Sequence, residues 1–222
     1  MSSWPFVGRQ KEAAYIRNEL DAGRSVLLTG IYGIGRTALA RYVSREMARD
    51  WFFVFADFAR DPGRIWRDVF AVVFPKAQAR LRSEPRSVSW TRFRVCHQAL
   101  EDPRRHVVVL DNVARLSAPR LDLVRRLRER FQVLAIAEDF LPEAARAALC
   151  GALRARPPLR LDHLSGAATV AFFEECSRRH GLGCGPGELR GLARATGGFP
   201  LGMSEAMTAE LRRSVPRPFR QA

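Results

Sequence analysis

The sequence predicts an α/β protein: a parallel sheet covered by helices on both faces, followed by a small C-terminal helical lid. Three observations carry this. Short apolar runs alternate with helical stretches through the first two thirds of the chain. Those runs are continuous rather than alternating, as strands buried on both faces are. After Pro157-Pro158 the apolar runs stop and only helical periodicity continues. The expected division is a core over residues 1–157, a helical lid over 158–214 and a tail over 215–222.

Each element has its own signal. Residues 11–20 carry Ala13, Ala14, Ile16 and Leu20 at helical spacing, and Gly23 follows as a stop. Residues 25–29 form a short apolar run that enters a glycine-rich turn. Residues 37–47 read as a helix with Leu39, Ala40, Val43 and Met47 on one face. Residues 51–58 are aromatic and β-branched, hence a strand. Two helical stretches follow, at 65–74 and 89–100. Residues 106–111 are a buried strand, and 119–131 an amphipathic helix with Leu121, Val124, Leu127 and Phe131 inward. Residues 132–137 are another buried strand, and 159–161 a short fifth. Ser165 caps a helix through Cys176, with Val170 and Phe173 among its apolar residues. A loop at 181–187 with four glycines separates it from helices at 188–195 and 201–213.

Composition bounds the function. The 222 residues are 47% hydrophobic and 27% charged, an ordinary globular balance. The charge is unusual: 37 Lys+Arg against 23 Asp+Glu give +14. Lysine occurs only at Lys11 and Lys76, so nearly all the positive charge is arginine. Such a chain is drawn to polyanions, although a basic solvated face opposite an acidic partner accounts for it equally well. No apolar stretch reaches the roughly 18 residues a spanning helix needs. The N-terminal residues have no apolar signal core, so a cytoplasmic location is expected. Cys96, Cys150, Cys176 and Cys184 are scattered, and the four histidines form no metal-type pair.

The strongest chemical signal is Gly30-Ile31-Tyr32-Gly33-Ile34-Gly35-Arg36-Thr37, running into Ala38 between an expected strand and an expected helix. Glycines let the backbone approach a phosphate, successive N–H groups face one concavity, and the helix N-terminus adds positive potential. Thr37 stands where a hydroxyl binds Mg²⁺. A ligand-free glycine turn is the plain alternative. The phosphate-loop lysine is replaced by Arg36, whose guanidinium is larger and planar. The second signal is Asp111-Asn112 at the end of the apolar run from Val107. Asp111 can hold the water shell of Mg²⁺. Asn112 stands where an acid would orient attacking water, and an amide is no general base.

Together these residues resemble the AAA+-related STAND-type P-loop ATPases, the neighbouring archaeal-type ATPases and NB-ARC-like nucleotide-binding domains, with degenerate Walker motifs. Residues 6–12, including Gly8 and Arg9, look like the entry motif beside the base and ribose. Gly30 to Thr37 is similar to Walker A, and Val107 to Asn112 to Walker B. Leu161 to Ser165, with Ala168 and Phe172, looks like the start of the lid. Gly198-Phe199-Pro200 is similar to the Gly-x-Pro lid motif, which implies that Pro200 packs near the base. The resemblance implies a P-loop NTPase core, ATP or ADP with Mg²⁺ as ligands, and phosphate contacts from Gly30, Gly33, Ile34, Gly35, Arg36, Thr37 and Ala38. Thr37 and Asp111 are the implied magnesium residues. The family also ends its fourth strand with γ-phosphate contacts, where this chain reads Ala137-Glu138-Asp139.

Losing these groups leaves a binding frame with weakened chemistry. The expectation is a nucleotide-dependent adaptor or switch with slow or absent hydrolysis, in which Arg36→Lys raises any remaining turnover. The alternatives are a competent ATPase that remodels DNA or protein, perhaps in an oligomeric ring, and a scaffold that has lost nucleotide. Sensor and effector domains typical of STAND proteins do not fit in this length, so partners are expected on separate protein chains. Arg86, Arg92 and Arg94, near Trp90 and Phe93, and Arg125 and Arg128 on one helix are the nucleic-acid candidates.

Overall fold

A computed structural model describes residues 4–80 and 87–214. In chain order the elements are α1 (Gln10–Asp21), β1 (Val26–Gly30), α2 (Arg36–Glu46), β2 (Trp51–Asp57), α3 (Pro62–Val73), α4 (Pro75–Arg80), α5 (Val88–His97), β3 (Arg105–Val113), α6 (Ala118–Arg130), β4 (Gln132–Glu138), α7 (Glu143–Leu153), β5 (Leu159–Arg160), α8 (Gly166–His180), α9 (Pro186–Thr196) and α10 (Pro200–Ser214). The expected tail, residues 215–222, lies outside the described residues.

The chain forms two compact units. The larger comprises residues 11–32 and 36–161; the smaller comprises 4–10, 33–35 and 162–214 of the described residues. This division differs from the sequence boundary, because the N-terminal segment groups with the C-terminal helices. The reason is aromatic burial: the Trp4 ring lies 6.2 Å from Phe172 and 5.9 Å from His180.

In the larger unit the five strands run parallel in the order β2-β3-β4-β1-β5. Continuous apolar runs become strands buried on both faces, as expected. Leu27, Val54, Val108, Leu110, Val133 and Ala135 pack with α3, α5, α6 and α7 on one face. Alternate side chains point the other way, and α2 covers that side against β1, β2 and β4. The result is three layers: helices, sheet, helices.

Helix starts follow local chemistry. The side chains of Asp61 and Ser87 accept N–H bonds from Arg64 and Trp90 at the starts of α3 and α5. Two helices were not expected from the sequence. The six-residue α4 begins directly on Pro75, one residue after α3 closes at Phe74. The other is α7, which buries only Leu149, Ala152 and Leu153.

In the smaller unit α8, α9 and α10 pack around Phe172, Phe173, Cys176, Leu189, Met203 and Met207, with Trp4 and Val7 against them. Ser165 caps α8 by accepting the Ala168 N–H at 3.3 Å, as its sequence position suggests.

Candidate functional site

In the larger unit the site is assembled at the carboxyl ends of β1, β3 and β4. β1 and β4 are neighbours, and Gly30 is the register partner of Glu138. Carboxyl ends of parallel strands are where open α/β sheets bind ligands. β1 ends at Gly30, and α2 starts six residues later at Arg36. The first-turn N–H groups of α2 have no acceptor within the helix and carry the positive end of its dipole.

The loop between them is bent by glycine. Gly30, Gly33 and Gly35 have φ of 152°, 82° and 94°. Glycine adopts such positive φ at little cost, where other residues would be strained.

Thr37 and Asp111 meet. The Thr37 hydroxyl donates to Asp111 Oδ2 at 2.9 Å. Asp111 Oδ1 accepts the backbone N–H of Asn112, also at 2.9 Å. This places a hydroxyl and a carboxylate together beside the start of α2, a donor set suited to Mg²⁺. Asp111 is positioned by a bulge in β3: pairing with β4 shifts between Leu110 and Val113. Asn112 makes the bulge by adopting φ of 63°. Its amide turns to β2 and donates to Asp57 Oδ1 at 3.2 Å.

Arg36 is the departure. It is 7% exposed, and its guanidinium donates to the Ala137 carbonyl and to Glu138 Oε2, the latter at 2.6 Å. The cation in the phosphate-loop lysine position is therefore held by a carboxylate at the end of β4. Glu138 is itself largely buried, with its side chain 14% exposed. Sequence reading found no γ-phosphate contact at 137–139, but it missed that Glu138 takes Arg36 as a partner. The signal that could have found it is the coincidence of two departures, a changed cation and a new acid on the neighbouring strand.

The smaller unit holds the other expected residues. Gly33 is packed by the start of α10: a Cβ there would lie 2.8 Å from both Leu201 Cβ and the Phe199 ring. Its carbonyl accepts the Leu201 N–H at 3.1 Å. Pro200 Cβ and Cγ lie 3.9 Å from where a Gly35 Cβ would be. Ile34 is buried. Gly8 has φ of 72°, and a Cβ on it would meet Ala168 Cβ at 2.4 Å, so α8 requires glycine there. Arg9 is buried, and its guanidinium donates to the carbonyls of Ile34 and Asp162.

The basic candidates separate. Arg94 lies over the rings of Phe74 and Trp90, at 5.8 and 5.3 Å, an internal stacking arrangement. On α6, Arg120 donates to the Phe58 and Ala59 carbonyls and Arg130 to those of Cys96 and Gln98. Arg126 pairs with Asp122. Arg125 is exposed, and Arg128 and Arg92 are half-buried. Arg86 lies outside the described residues.

The residues fit a nucleotide in part. In the larger unit the α2 terminus and the Thr37–Asp111 pair suit phosphates and Mg²⁺. The Arg36 head group fits less well, because two of its five N–H donors are directed at Glu138 and Ala137. Among the described residues no group of three His, Cys, Asp or Glu is arranged for a metal ion, and no helix is long and apolar enough to cross a membrane.

No protein-family model matches this chain, and neither does any curated protein. Solved structures do. The Orc1 protein of Aeropyrum pernix in complex with DNA superposes with a TM-score of 0.65 at 15% identity, over 99% of this chain and 64% of that one. Hsp104 of S. cerevisiae in complex with casein gives 0.61 at 14% identity, over 95% and 38%. The RuvB Holliday junction branch migration motor of Thermotoga maritima gives 0.56 at 16%, over 91% and 61%. The chain thus spans less than two thirds of the length of each. The fold is the P-loop NTPase α/β fold, and the neighbours that share it are AAA+ ATPases.

Proposed function

We propose that this chain is a nucleotide-binding regulatory protein related to the AAA+ and STAND ATPases, with slow or absent hydrolysis. The observation that carries the proposal is a split in the phosphate-loop region. The binding half is kept, with Thr37 on Asp111 at 2.9 Å. The catalytic half is altered, with Arg36 on Glu138 at 2.6 Å and Asn112 turned to Asp57.

In this reading Gly30, Gly33, Ile34, Gly35 and the first N–H groups of α2, through Ala38, hold the phosphates. Thr37 and Asp111 hold Mg²⁺, which when bound supplies charge neutralisation. Gly8, Arg9 and Pro200 keep the base and ribose role that the resemblance implies. Hydrolysis would need a mobile cation to follow charge in the transition state and a base to orient water. Arg36 is fixed, and Asn112 is an amide occupied elsewhere.

The chain then works as a switch or adaptor for a protein or nucleic-acid partner, in the cytoplasm. Support for a polyanionic partner comes from the net charge of +14 and from Arg125, which is exposed on α6. Assembly with further copies is consistent with the fold.

Steady-state phosphate release from MgATP tests the proposal. The expected rate is well below about 1 per second, the low edge of ordinary enzymes. A rate at or above that edge would overturn it. On sequence alone Arg36→Lys is expected to raise turnover; the Glu138 contact changes that expectation, because the carboxylate would hold a lysine ammonium too, and the rate is expected to stay within about twofold.

A further inference from the structure

We infer that the Arg36–Glu138 ion pair makes the phosphate loop selective for nucleoside diphosphates by rejecting a third phosphate. The inference rests on the nucleotide reading above and specifies its ligand.

Three observations converge within the larger unit. The first is position. Arg36 occupies the place from which a phosphate-loop cation reaches the β- and γ-phosphates. Glu138 ends the neighbouring strand, in register with Gly30, where the loop begins. A phosphate drawn to the Arg36 guanidinium would therefore also meet the Glu138 carboxylate that holds it. The second is burial. The side chains are 7% and 14% exposed, so neither charge is dissipated by water. Separating such a pair leaves a charge without compensation in a low-dielectric setting, which is strongly unfavourable. The third is engagement. The guanidinium also donates to the Ala137 carbonyl, so rotating it toward a phosphate gives up two partners together.

A γ-phosphate would thus bring added negative charge toward a carboxylate, while the Arg36 cation that would meet it is already engaged. The α- and β-phosphates differ. They are held by backbone N–H groups and the α2 terminus, which do not depend on the Arg36 side chain. The Thr37–Asp111 pair is likewise separate from Glu138 in its contacts. Diphosphate binding keeps all its donors, and only the third phosphate is penalised.

The test is calorimetric titration of the purified full chain with ADP and with ATP, each with Mg²⁺. Wild type is expected to bind ADP at least about tenfold more tightly than ATP, as one uncompensated charge contact gives. Glu138→Gln keeps an acceptor for Arg36 and removes the charge. It is expected to bring the two affinities to within about threefold, mainly by tightening ATP. The double variant Arg36→Met/Glu138→Met removes both charges together, which buried pairs tolerate better than single loss, and is expected to equalise the two ligands as well. Equal or tighter binding of ATP by wild type overturns the inference and leaves the nucleotide reading standing. A tenfold preference that persists unchanged in both variants also overturns it, because the preference then lies elsewhere. Failure of wild type to bind either nucleotide overturns the nucleotide reading and the inference with it.

Discussion

At the residue scale, arginines in this chain act mainly by what fixes them. Arg36 is fixed by Glu138, Arg94 by Phe74 and Trp90, and Arg120 and Arg130 by backbone carbonyls. A charge that looks available in a sequence is often already used in packing, because the guanidinium can stack and donate several bonds. His106 is the reverse case. It is 5% exposed between the rings of Phe52 and Phe131, and its Nε2 is buried without a hydrogen-bond partner. Burial pushes its pKa below the ordinary histidine value of 6.5. The unfolded chain therefore takes up a proton at a higher pH than the folded one. Stability is lost as pH falls below 6.5, toward and through the lowered folded value. In His106→Phe that contribution is absent, so urea midpoints are expected to change less than in wild type between pH 7 and about pH 5. Equal pH dependence in the two proteins would show that His106 does not titrate in this window.

At the element scale, legibility followed the kind of signal each segment carries. β3 and β4 were readable because strands buried on both faces are unbroken apolar runs, as Val107–Leu110 and Val133–Ala137 are. The α8 start was readable because Ser165 is a capping residue directly before a helical run. α7 was not, because its apolar stripe is narrow and built mostly of alanine, which marks no face strongly. α4 was hidden by Pro75, a residue that ends α3 and opens the next helix in the same place. Thr37–Asp111 was legible because two motifs named both partners. Arg36–Glu138 was not, because it joins residues 102 positions apart through strand order, which no local pattern records. Local chemistry still sets the helix ends. Asp61 caps α3 through the Arg64 N–H at 3.0 Å, with no competing acceptor role in the site. Asp61→Ala is expected to cost about 1 kcal/mol, a fall of about 2–4 °C in melting temperature for a chain of this size. An unchanged melting temperature would mean that the cap is replaced by solvent at no cost.

At the scale of the whole molecule, the net charge of +14 and the phosphate loop compete to explain any anion binding. The two act differently. A general positive field attracts every polyanion and is screened within a few ångströms at high salt. A loop of oriented N–H groups with Thr37 and Asp111 is short-ranged and specific, so salt weakens it far less. Ligand that binds only the folded chain stabilises it by RT ln(1 + [L]/Kd), about 2.7 kcal/mol at 100 times Kd. For a chain of this length that raises the melting temperature by about 5–10 °C. With MgADP the rise is expected to persist in about 0.5 M NaCl, whereas sulfate at matched ionic strength gives little. A rise that vanishes with salt would assign the binding to surface arginines. No rise with either ADP or ATP would mean that the loop has lost nucleotide, leaving the fold as a scaffold.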